Sequence, residues 1–354
     1  MVGVLAHELG HTLGLFHEQT RPDRDDFVTV FSKNIQKGGL DNFVKYDLDS
    51  VQDHGVPYDL GSIMHYAGWY FSKNKKPTIL AKKSDMQSVM GQRRALSLYD
   101  TQIVNIMYKC AVHCKSDIVC QNHGYVGKDC SCVCPEGLTG VTCEDVTGVI
   151  QQSMNTENFS TKGFGYAEMS TSLRIADESK TCGGILSNDS GIITTPNYPA
   201  DYNNNMDCIW LIKNKPGGII HFEFEDFEME HEYGCAYDYV EIRHNGPQIF
   251  GPRYCGWGPK KTFQLLNDGL LIQFHSDEQD TAKGFQASYK LEQTSKTPVD
   301  GGWSQWGMWS GCASQCGMSS KIRKRSCTHP KPNHGGKNCA GLKVSIGQCK
   351  LKPC

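Results

Sequence analysis

The distribution of the cysteines constrains the fold of this chain more than any other feature. All 17 cysteines lie at or after position 110, in three groups that are separated by cysteine-free stretches. Such groups are typical of small domains that disulfides stabilise in an oxidising environment. With 354 residues, and about 100 to 200 residues in a common domain, the chain is predicted to contain several folding units. We therefore expect a secreted, multidomain protein.

Charge and hydropathy argue against nucleic acid as a partner and against a transmembrane segment. Lys and Arg total 36 against 38 for Asp and Glu, a net charge of -2, so no overall positive field favours nucleic acid. No apolar run reaches about 18 residues, so no transmembrane segment is predicted. The first residues do not resemble a signal peptide, and we expect the signal for secretion to lie upstream of residue 1.

The composition divides the chain into six segments. The first has no cysteine before residue 110 and has mixed α/β patterns, the fourth has the alternating pattern of a sandwich of short strands, and two polar stretches are predicted linkers. The second and sixth segments are small and rich in cysteine. The predicted divisions are 1–110 (α/β), 111–144 (disulfide-rich), 145–181 (linker), 182–292 (all-β sandwich), 293–300 (linker) and 301–354 (Trp- and Cys-rich).

The stretch HELGHTLGLFH near the start has the spacing of a zinc site. On a helix, His7 and His11 share one face, and Gly14 can end the helix so that His17 returns as a third ligand. Three imidazoles leave one zinc position open to water, whose pKa falls to about 7, and Glu8 beside them can take its proton. The alternative, a core helix with incidental histidines, is disfavoured by the complete HExxHxxGxxH pattern.

The longer stretch HELGHTLGLFHEQTRPDRD resembles the signature of the astacin family of metzincin zinc metalloproteases. The sequence SIMHY, residues 62–66, is similar to the astacin Met-turn, which implies that Met64 forms an apolar floor under the metal. The resemblance also implies that Tyr66 is a fifth zinc ligand that swings away to hydrogen-bond the oxyanion. Ordinary aromatic packing of Tyr66 is the alternative.

The stretch GQRRALSLYDTQIVNIMYKC resembles the end of astacin domains and predicts a final amphipathic helix over Leu98 to Met107. In tolloid- and meprin-like members the arginine of GQR lines the pocket for the residue after the cleaved bond. For Arg93 this implies a preference for Asp or Glu at that substrate position. A solvated surface arginine is the alternative.

Six cysteines that end in CPEGLTGVTC resemble an EGF-like domain. Zinc binding by the same cysteines is the alternative, which a secreted context disfavours. The resemblance implies the disulfides Cys114–Cys130, Cys120–Cys132 and Cys134–Cys143.

The sandwich segment resembles a CUB domain, in motifs that include NYP, GCAYD and RYCG. This implies the disulfides Cys182–Cys208 and Cys235–Cys255. By the same resemblance Glu230, Asp238 and Asp277 are candidate calcium ligands, since three converging carboxylates favour a shared hard cation. Solvated loop charges are the alternative.

The tail WSQWGMWSGC, followed by KIRKRSC, resembles a thrombospondin type 1 repeat, a three-stranded module. Trp303, Trp306 and Trp309 are predicted to interleave with Arg323 and Arg325 as cation–π contacts. The family's WxxW motif marks Trp303 and Trp306 for C-mannosylation. The implied disulfides are Cys312–Cys349, Cys316–Cys354 and Cys327–Cys339.

Two further features follow from the cysteines and the sequons. The sixteen cysteines of these implied disulfides leave Cys110 unpaired. Asn158 and Asn188 begin the sequons NFS and NDS, which are predicted N-glycosylation sites in a secreted protein.

The domain order resembles that of nematode astacins, with residues 1–110 similar to the C-terminal half of the catalytic domain. We predict a secreted zinc endopeptidase, with one zinc per catalytic domain, that cleaves extracellular matrix or cuticle proteins such as collagen. The alternative is a truncated form without activity. It would act as an extracellular adhesive protein through its CUB and thrombospondin modules and bind glycosaminoglycan through basic runs such as KIRKRS.

Overall fold

A computed structural model describes most of the chain. The described residues are 2–46, 53–114, 118–147, 182–215, 217–244, 246, 249–259, 262–265, 269–293, 299–312, 318–333, 336, 339 and 344–352. Two predicted features, the sequon at Asn158 and the Cys316–Cys354 disulfide, lie outside them, as does most of each predicted linker. No helix among these residues is long and apolar enough to cross a membrane.

Two helices and a small sheet form the N-terminal segment, with short 3-10 turns between them. Helix α1 ends at Thr12 because Gly14 adopts a left-handed conformation (φ 93°) and Leu15 N–H bonds back to the Gly10 carbonyl. Helix α2 has the predicted bounds. The elements are α1 (Val2–Thr12), β1 (Val28–Val30), β2 (Ile79–Ala81), antiparallel to β1, and α2 (Leu98–Met107).

Four two-residue strands and three disulfides form the second segment. The disulfides are Cys114–Cys130, Cys120–Cys132 and Cys134–Cys143. The strands pair as two short hairpins, β3 (Tyr125–Val126) with β4 (Cys132–Val133), and β5 (Leu138–Thr139) with β6 (Asp145–Val146). Strand β6 extends two residues past the predicted end of this module, because Val146 is buried against the sandwich that follows.

Two packed sheets form the sandwich. Their order is β13-β10-β15-β8 and β12-β11-β14-β9-β7, and all pairs are antiparallel except β7 with β9. The inward residues alternate along each strand, so large apolar side chains such as Phe222, Phe274 and Phe285 are fully buried between the sheets. The strands are β7 (Gly183–Leu186), β8 (Ser190–Thr194), β9 (Asp207–Lys213), β10 (Ile219–Glu228), β11 (Tyr239–Arg243), β12 (Arg253–Tyr254), β13 (Thr262–Leu265), β14 (Gly269–His275) and β15 (Gly284–Glu292).

In the C-terminal module, β16 (Met318–Lys324) pairs with β17 (Val344–Lys350). The predicted third strand is an irregular extended segment, so the described sheet has two strands. Its hydrogen bonds to the β16 side of the module recur at every third residue, from Ser304, Gly307 and Ser310, and this spacing does not match a regular ladder. The same spacing brings Trp303, Trp306 and Trp309 against Arg323 and Arg325, which confirms the predicted cation–π ladder.

Candidate active site

Three histidines converge at the C-terminal end of helix α1. His7 and His11 lie on one face of α1, and His17 follows the reversal at Gly14. One ring nitrogen from each lies within 4.8 Å of the others, and the Nε2 atoms of His11 and His17 are 3.2 Å apart. This arrangement suits a metal with three nitrogen ligands and an open position.

Backbone carbonyls orient two of these rings. His7 Nδ1 donates to the Ile63 carbonyl (2.8 Å), and His11 Nδ1 donates to the Leu15 carbonyl (3.0 Å). Because each carbonyl is an acceptor, Nδ1 carries the proton and Nε2 has its lone pair available for a metal. Both imidazoles therefore have the tautomer that a ligand needs.

The electrostatics of the cluster favour neutral imidazoles. Burial, together with repulsion from His11 and His7, lowers the pKa of His17 to about 4. Burial also lowers the pKa of His7, against the opposing effect of its hydrogen bond to Ile63. Neutral rings at pH 7 can bind a cation without first losing a proton, so the residues present fit zinc.

Glu8 lies between the two helical histidines in sequence and is exposed on α1. Burial lowers the pKa of His7 and the charge of Glu8 partly opposes this shift, which indicates that the carboxylate lies near the cluster. Its exposure leaves it accessible to a water molecule or a substrate. This position suits a group that takes up and releases a proton during a reaction.

The 62–66 turn packs beneath the histidines. Met64 is 1% exposed and clusters with Leu15 and Ile63, and its carbonyl accepts the Glu18 N–H. The ring of Tyr66 contacts the His17 ring at 4.5 Å between centroids. Burial raises the pKa of Tyr66, so its phenol stays protonated at neutral pH and can donate a hydrogen bond.

Three buried residues that the sequence analysis missed support this turn. Gln19 accepts the Tyr66 N–H on its side-chain oxygen, and His65 donates from Nδ1 to the Tyr66 carbonyl at 2.7 Å. Asp100 accepts from the Ser62 hydroxyl and from the Ile63 N–H. The pattern S-x-x-D at the start of α2 was an available signal for Asp100 as a helix cap, whereas no local pattern marks Gln19 or His65.

Arg93 faces this cluster from the loop before α2. Its Nη1 donates to the His65 carbonyl (3.2 Å), and its charge lowers the pKa of His7 and His17. Its carbonyl lies against Gly3 of α1, where a Cβ would overlap it. Arg93 therefore supplies a positive charge beside the histidine cluster.

A second cluster, of three carboxylates, lies at one end of the sandwich. Oxygens of Glu230, Asp238 and Asp277 lie within 4.8 Å of one another. The Tyr202 hydroxyl and the Asp277 N–H donate to the two oxygens of Asp238, while one buried oxygen of Glu230 has no hydrogen-bond partner among the described residues. Burial and the neighbouring carboxylates raise the pKa of Glu230. This donor set, with an unsatisfied buried oxygen, fits calcium.

The remaining predicted positions are not members of either cluster. The structure contains four further disulfides, Cys182–Cys208, Cys235–Cys255, Cys312–Cys349 and Cys327–Cys339. Cys110 is free among the described cysteines. Asn188 is exposed in the turn between β7 and β8, and Trp303 and Trp306 belong to the cation–π ladder.

Three parts of the chain match known families. Residues 1–109 match the Astacin peptidase family, residues 182–289 match the CUB domain, and residues 304–354 match the Thrombospondin type 1 domain. These matches follow the chain in the same order as the α/β segment, the sandwich and the Trp-rich module.

Two curated relatives resemble this chain over most of its length, and a solved structure resembles a smaller part of it. Blastula protease 10 of Paracentrotus lividus is 35% identical over 84% of this chain and 45% of its own length. Zinc metalloproteinase dpy-31 of Caenorhabditis elegans is 35% identical over 100% of this chain and 55% of its own length. The solved structure of High choriolytic enzyme 1, a hatching enzyme zinc-protease from Oryzias latipes, is 37% identical over 30% of this chain and 52% of that one, with a TM-score of 0.28. The chain spans about half the length of the curated relatives it matches.

Proposed function

Because residues 1–109 belong to the astacin family of peptidases, we propose that this chain is a zinc-dependent endopeptidase that cleaves extracellular proteins. The observation that carries the proposal is the convergence of His7, His11 and His17, with ring nitrogens within 4.8 Å. Carbonyl contacts to two of the rings leave Nε2 available, and the depressed pKa values of His7 and His17 keep those rings neutral. These three residues would hold the zinc.

The catalytic roles follow from the side chains around the histidines. Zinc, when bound, acts as a Lewis acid that polarises the peptide carbonyl and lowers the pKa of water. Glu8 takes the proton of the attacking water and delivers it to the nitrogen of the departing amine. Tyr66, the candidate fifth ligand, would donate a hydrogen bond from its phenol to the oxygen that becomes negative, a role that its raised pKa supports. Met64 supplies the apolar floor.

Arg93 is proposed to select the residue that follows the cleaved bond. Its guanidinium is half-buried beside the histidines and donates to the His65 carbonyl. A fixed positive charge at that position favours Asp or Glu in the substrate. The preference of the enzyme would then come from one charge on the loop before α2.

The test is replacement of Glu8 in the purified, zinc-loaded chain. Glu8→Ala should lower the rate of peptide cleavage by about 10²–10⁴-fold, because the proton carrier is lost, while the zinc content stays that of the wild type. Glu223→Ala, which removes an exposed carboxylate on β10, is the matched control and should cleave at the wild-type rate.

The outcomes separate the alternatives. Wild-type cleavage by Glu8→Ala would show that another group carries the proton. If the wild-type chain showed no cleavage that is sensitive to a chelator, the endopeptidase proposal would be contradicted. An adhesive role for the CUB and thrombospondin domains would then be favoured.

Calcium is proposed as a second cofactor, held by Glu230, Asp238 and Asp277. The unsatisfied oxygen of Glu230 and the raised pKa values of Glu230 and Asp238 support a cation among these carboxylates. Calcium should raise the melting temperature of the CUB domain. An unchanged melting temperature at millimolar calcium would contradict the site.

Secretion and an extracellular substrate are proposed on the same grounds. Seven disulfides in the described residues suit an oxidising compartment, and CUB and thrombospondin domains suit contact with matrix or cuticle proteins such as collagen. N-glycosylation of Asn188 and Asn158, C-mannosylation of Trp303 and Trp306, and glycosaminoglycan binding by the basic strand β16 belong to this proposal. Mass spectrometry of the secreted protein and heparin chromatography would test them.

A further inference from the structure

A buried carboxylate of the CUB domain contacts residues 1–109, the segment that matches the Astacin peptidase family and that we call the peptidase segment. Glu241, on β11, is 1% exposed, and its oxygens lie 2.6 Å from Arg94, 3.0 Å from Arg243 and 3.1 Å from Arg253. Arg243 and Arg253 belong to the CUB domain, whereas Arg94 belongs to the loop before α2. Burial alone would raise the pKa of Glu241, but the charges of Arg243 and Arg94 outweigh it and lower the pKa to about 2. Glu241 is therefore ionised at neutral pH.

An aromatic ring of the CUB domain holds the same arginine from a second side. Phe250, in the connection between β11 and β12, is buried among peptidase residues that include Tyr58, Leu60 and Val89. The guanidinium of Arg94 lies over this ring, 4.7 Å from its centre. A planar guanidinium that stacks on an aromatic ring and donates to a carboxylate has little freedom to move.

Two adjacent arginines in the loop formed by residues 91–95, which we call the 91–95 loop, contact different parts of the molecule. Arg94 meets Glu241 and Phe250 of the CUB domain, while Arg93 donates to the carbonyl of His65 beside the histidine cluster. Displacing one of two adjacent residues in a tight loop moves the other. The contact with the CUB domain and the position of Arg93 are therefore mechanically linked.

Gln92 makes this loop rigid. Its side-chain oxygen accepts the Arg94 N–H at 2.7 Å, and its amide group donates to the carbonyls of Gly61 (2.7 Å) and Ala95 (2.9 Å). Gly61 in turn lies against Phe250, since an added Cβ there would be 3.2 Å from the Cβ of Phe250. A shift of the CUB domain would reach the loop through both Arg94 and Gly61.

We propose that the CUB domain is a positioning element of the peptidase: Glu241 and Phe250 clamp Arg94 and thereby hold Arg93 at the substrate pocket. This inference rests on the proposed role of Arg93 as the specificity residue. Glu241 and Phe250 are positioning residues, which act through Arg94 and touch no substrate. In consequence, the preference for Asp or Glu in the substrate depends on Glu241, which lies 147 positions after Arg94 in the sequence.

The experiment uses the full, zinc-loaded chain and two conservative variants. Glu241→Gln keeps the shape of the side chain and removes its charge, and Arg94→Met leaves Glu241 paired with Arg243 and Arg253, so the sandwich stays folded. Glu223→Gln makes the same chemical change at an exposed position of β10 and is the control. Unchanged hydrogen exchange in β14 checks the fold of each variant.

Two readouts are measured for each variant. Hydrogen exchange in the 91–95 loop should rise about tenfold in Glu241→Gln and in Arg94→Met, and the double variant should add little, because both changes break one contact. The ratio of kcat/KM for peptides with Asp and with Gln after the cleaved bond should fall by about tenfold in both, mainly through a higher KM for the Asp peptide. Glu223→Gln should match the wild type in both readouts.

Unchanged exchange in the 91–95 loop of both variants would overturn the clamp. If hydrogen exchange in the 91–95 loop rose in active variants while their ratio of kcat/KM for Asp and Gln peptides stayed that of the wild type, the link to Arg93 would be overturned. If the wild-type chain cleaved no peptide, the proposed function would fail by itself, and exchange would still decide whether the CUB domain holds the loop.

Discussion

At the scale of single residues, glycines set how closely helix α1 approaches the rest of the site. Gly3 lies against the carbonyl of Arg93, and Gly10 lies against the sulfur of Met64. Gly14 takes a positive φ that most side chains disfavour, which lets the chain return with His17. The proposed ligands and base are side chains, but the absence of a Cβ at these glycines is what allows the segments that carry them to approach closely.

Gly3→Ala tests this close approach. Alanine in a helix is favoured over glycine by about 1 kcal/mol, so helix propensity alone predicts a more stable protein. The added Cβ would overlap the Arg93 carbonyl, which is backbone, and we expect a net loss of about 1–3 kcal/mol in the free energy of unfolding.

Denaturant unfolding of the N-terminal segment measures this change. Gly311→Ala is the control, because an added Cβ there meets no described residue within 4 Å and should leave stability within experimental error. Equal or greater stability of Gly3→Ala would show that α1 does not press on the 91–95 loop.

At the scale of elements, one carboxylate joins the start of helix α2 to the 62–66 turn. Asp100 and Ser97 form a reciprocal capping box, in which each side chain accepts the backbone N–H of the other. The same carboxylate accepts from the Ser62 hydroxyl at 2.6 Å and from the Ile63 N–H at 2.9 Å. The cap of α2 therefore also fixes the turn that carries Met64.

Asp100→Asn should disturb both elements at once. The asparagine side chain has one acceptor oxygen instead of two, so at least one of the buried donors, the Ser62 O–H or the N–H groups of Ile63 and Ser97, loses its acceptor. We expect a cost of about 1–3 kcal/mol in the free energy of unfolding and a weaker affinity for zinc, measured by unfolding and by chelator competition.

Asp41→Asn, an exposed change in another short helix, is the control for Asp100→Asn and should be neutral. If Asp100→Asn lost stability but kept the zinc affinity of the wild type, the helix cap would have no influence on the proposed metal site.

At the scale of the whole molecule, one cluster of charges joins three modules. Arg243 contacts Glu241 within the CUB domain and Glu136 of the small disulfide module. Glu241 contacts Arg94 of the peptidase segment, and His244 contacts Asp85 there at 2.7 Å. Breaking a buried ion pair costs far more than breaking an exposed one, so the pair of Glu241 with Arg94 contributes more to the association of the modules than the pair of Arg243 with Glu136, whose carboxylate side chain is mostly exposed.

The pKa of Glu241 predicts how this association depends on pH. The folded value, about 2, lies below the ordinary value of 4.5, so the unfolded chain binds the proton first as the pH falls. The stabilisation is complete above about pH 4.5 and is lost as the pH falls toward 2, a change of about 3 kcal/mol.

Melting temperatures between pH 5 and pH 3 would measure this loss. The wild type should lose more stability over this range than Glu241→Gln, in which no carboxylate takes up the proton. Glu223→Gln, in which an exposed carboxylate is removed, should follow the wild type. Parallel curves for the wild type and Glu241→Gln would contradict the ionised, buried pair.

Local patterns determined much of this protein. The domain order of astacin, CUB and thrombospondin type 1 was predicted from motifs and is confirmed. The bounds of α2, the helix end before Gly14 and the Trp–Arg ladder were also predicted correctly. The bounds of α2 and the end of α1 depend on neighbours within a few residues, where helical periodicity and a glycine conformation decide the geometry, and the ladder depends on the regular spacing of residues within two short motifs.

Tertiary structure alone decided which distant residues support the site. Asp100 reaches Ser62 across 38 residues, and Arg94 reaches Glu241 across 147. Burial makes these contacts strong, because a charge or an N–H removed from water must find a partner, and the folded chain determines which partner is near. The three histidines of the proposed zinc site could therefore be recognised from their spacing in the sequence, whereas the residues that hold their surroundings in place became visible only once the modules were packed together.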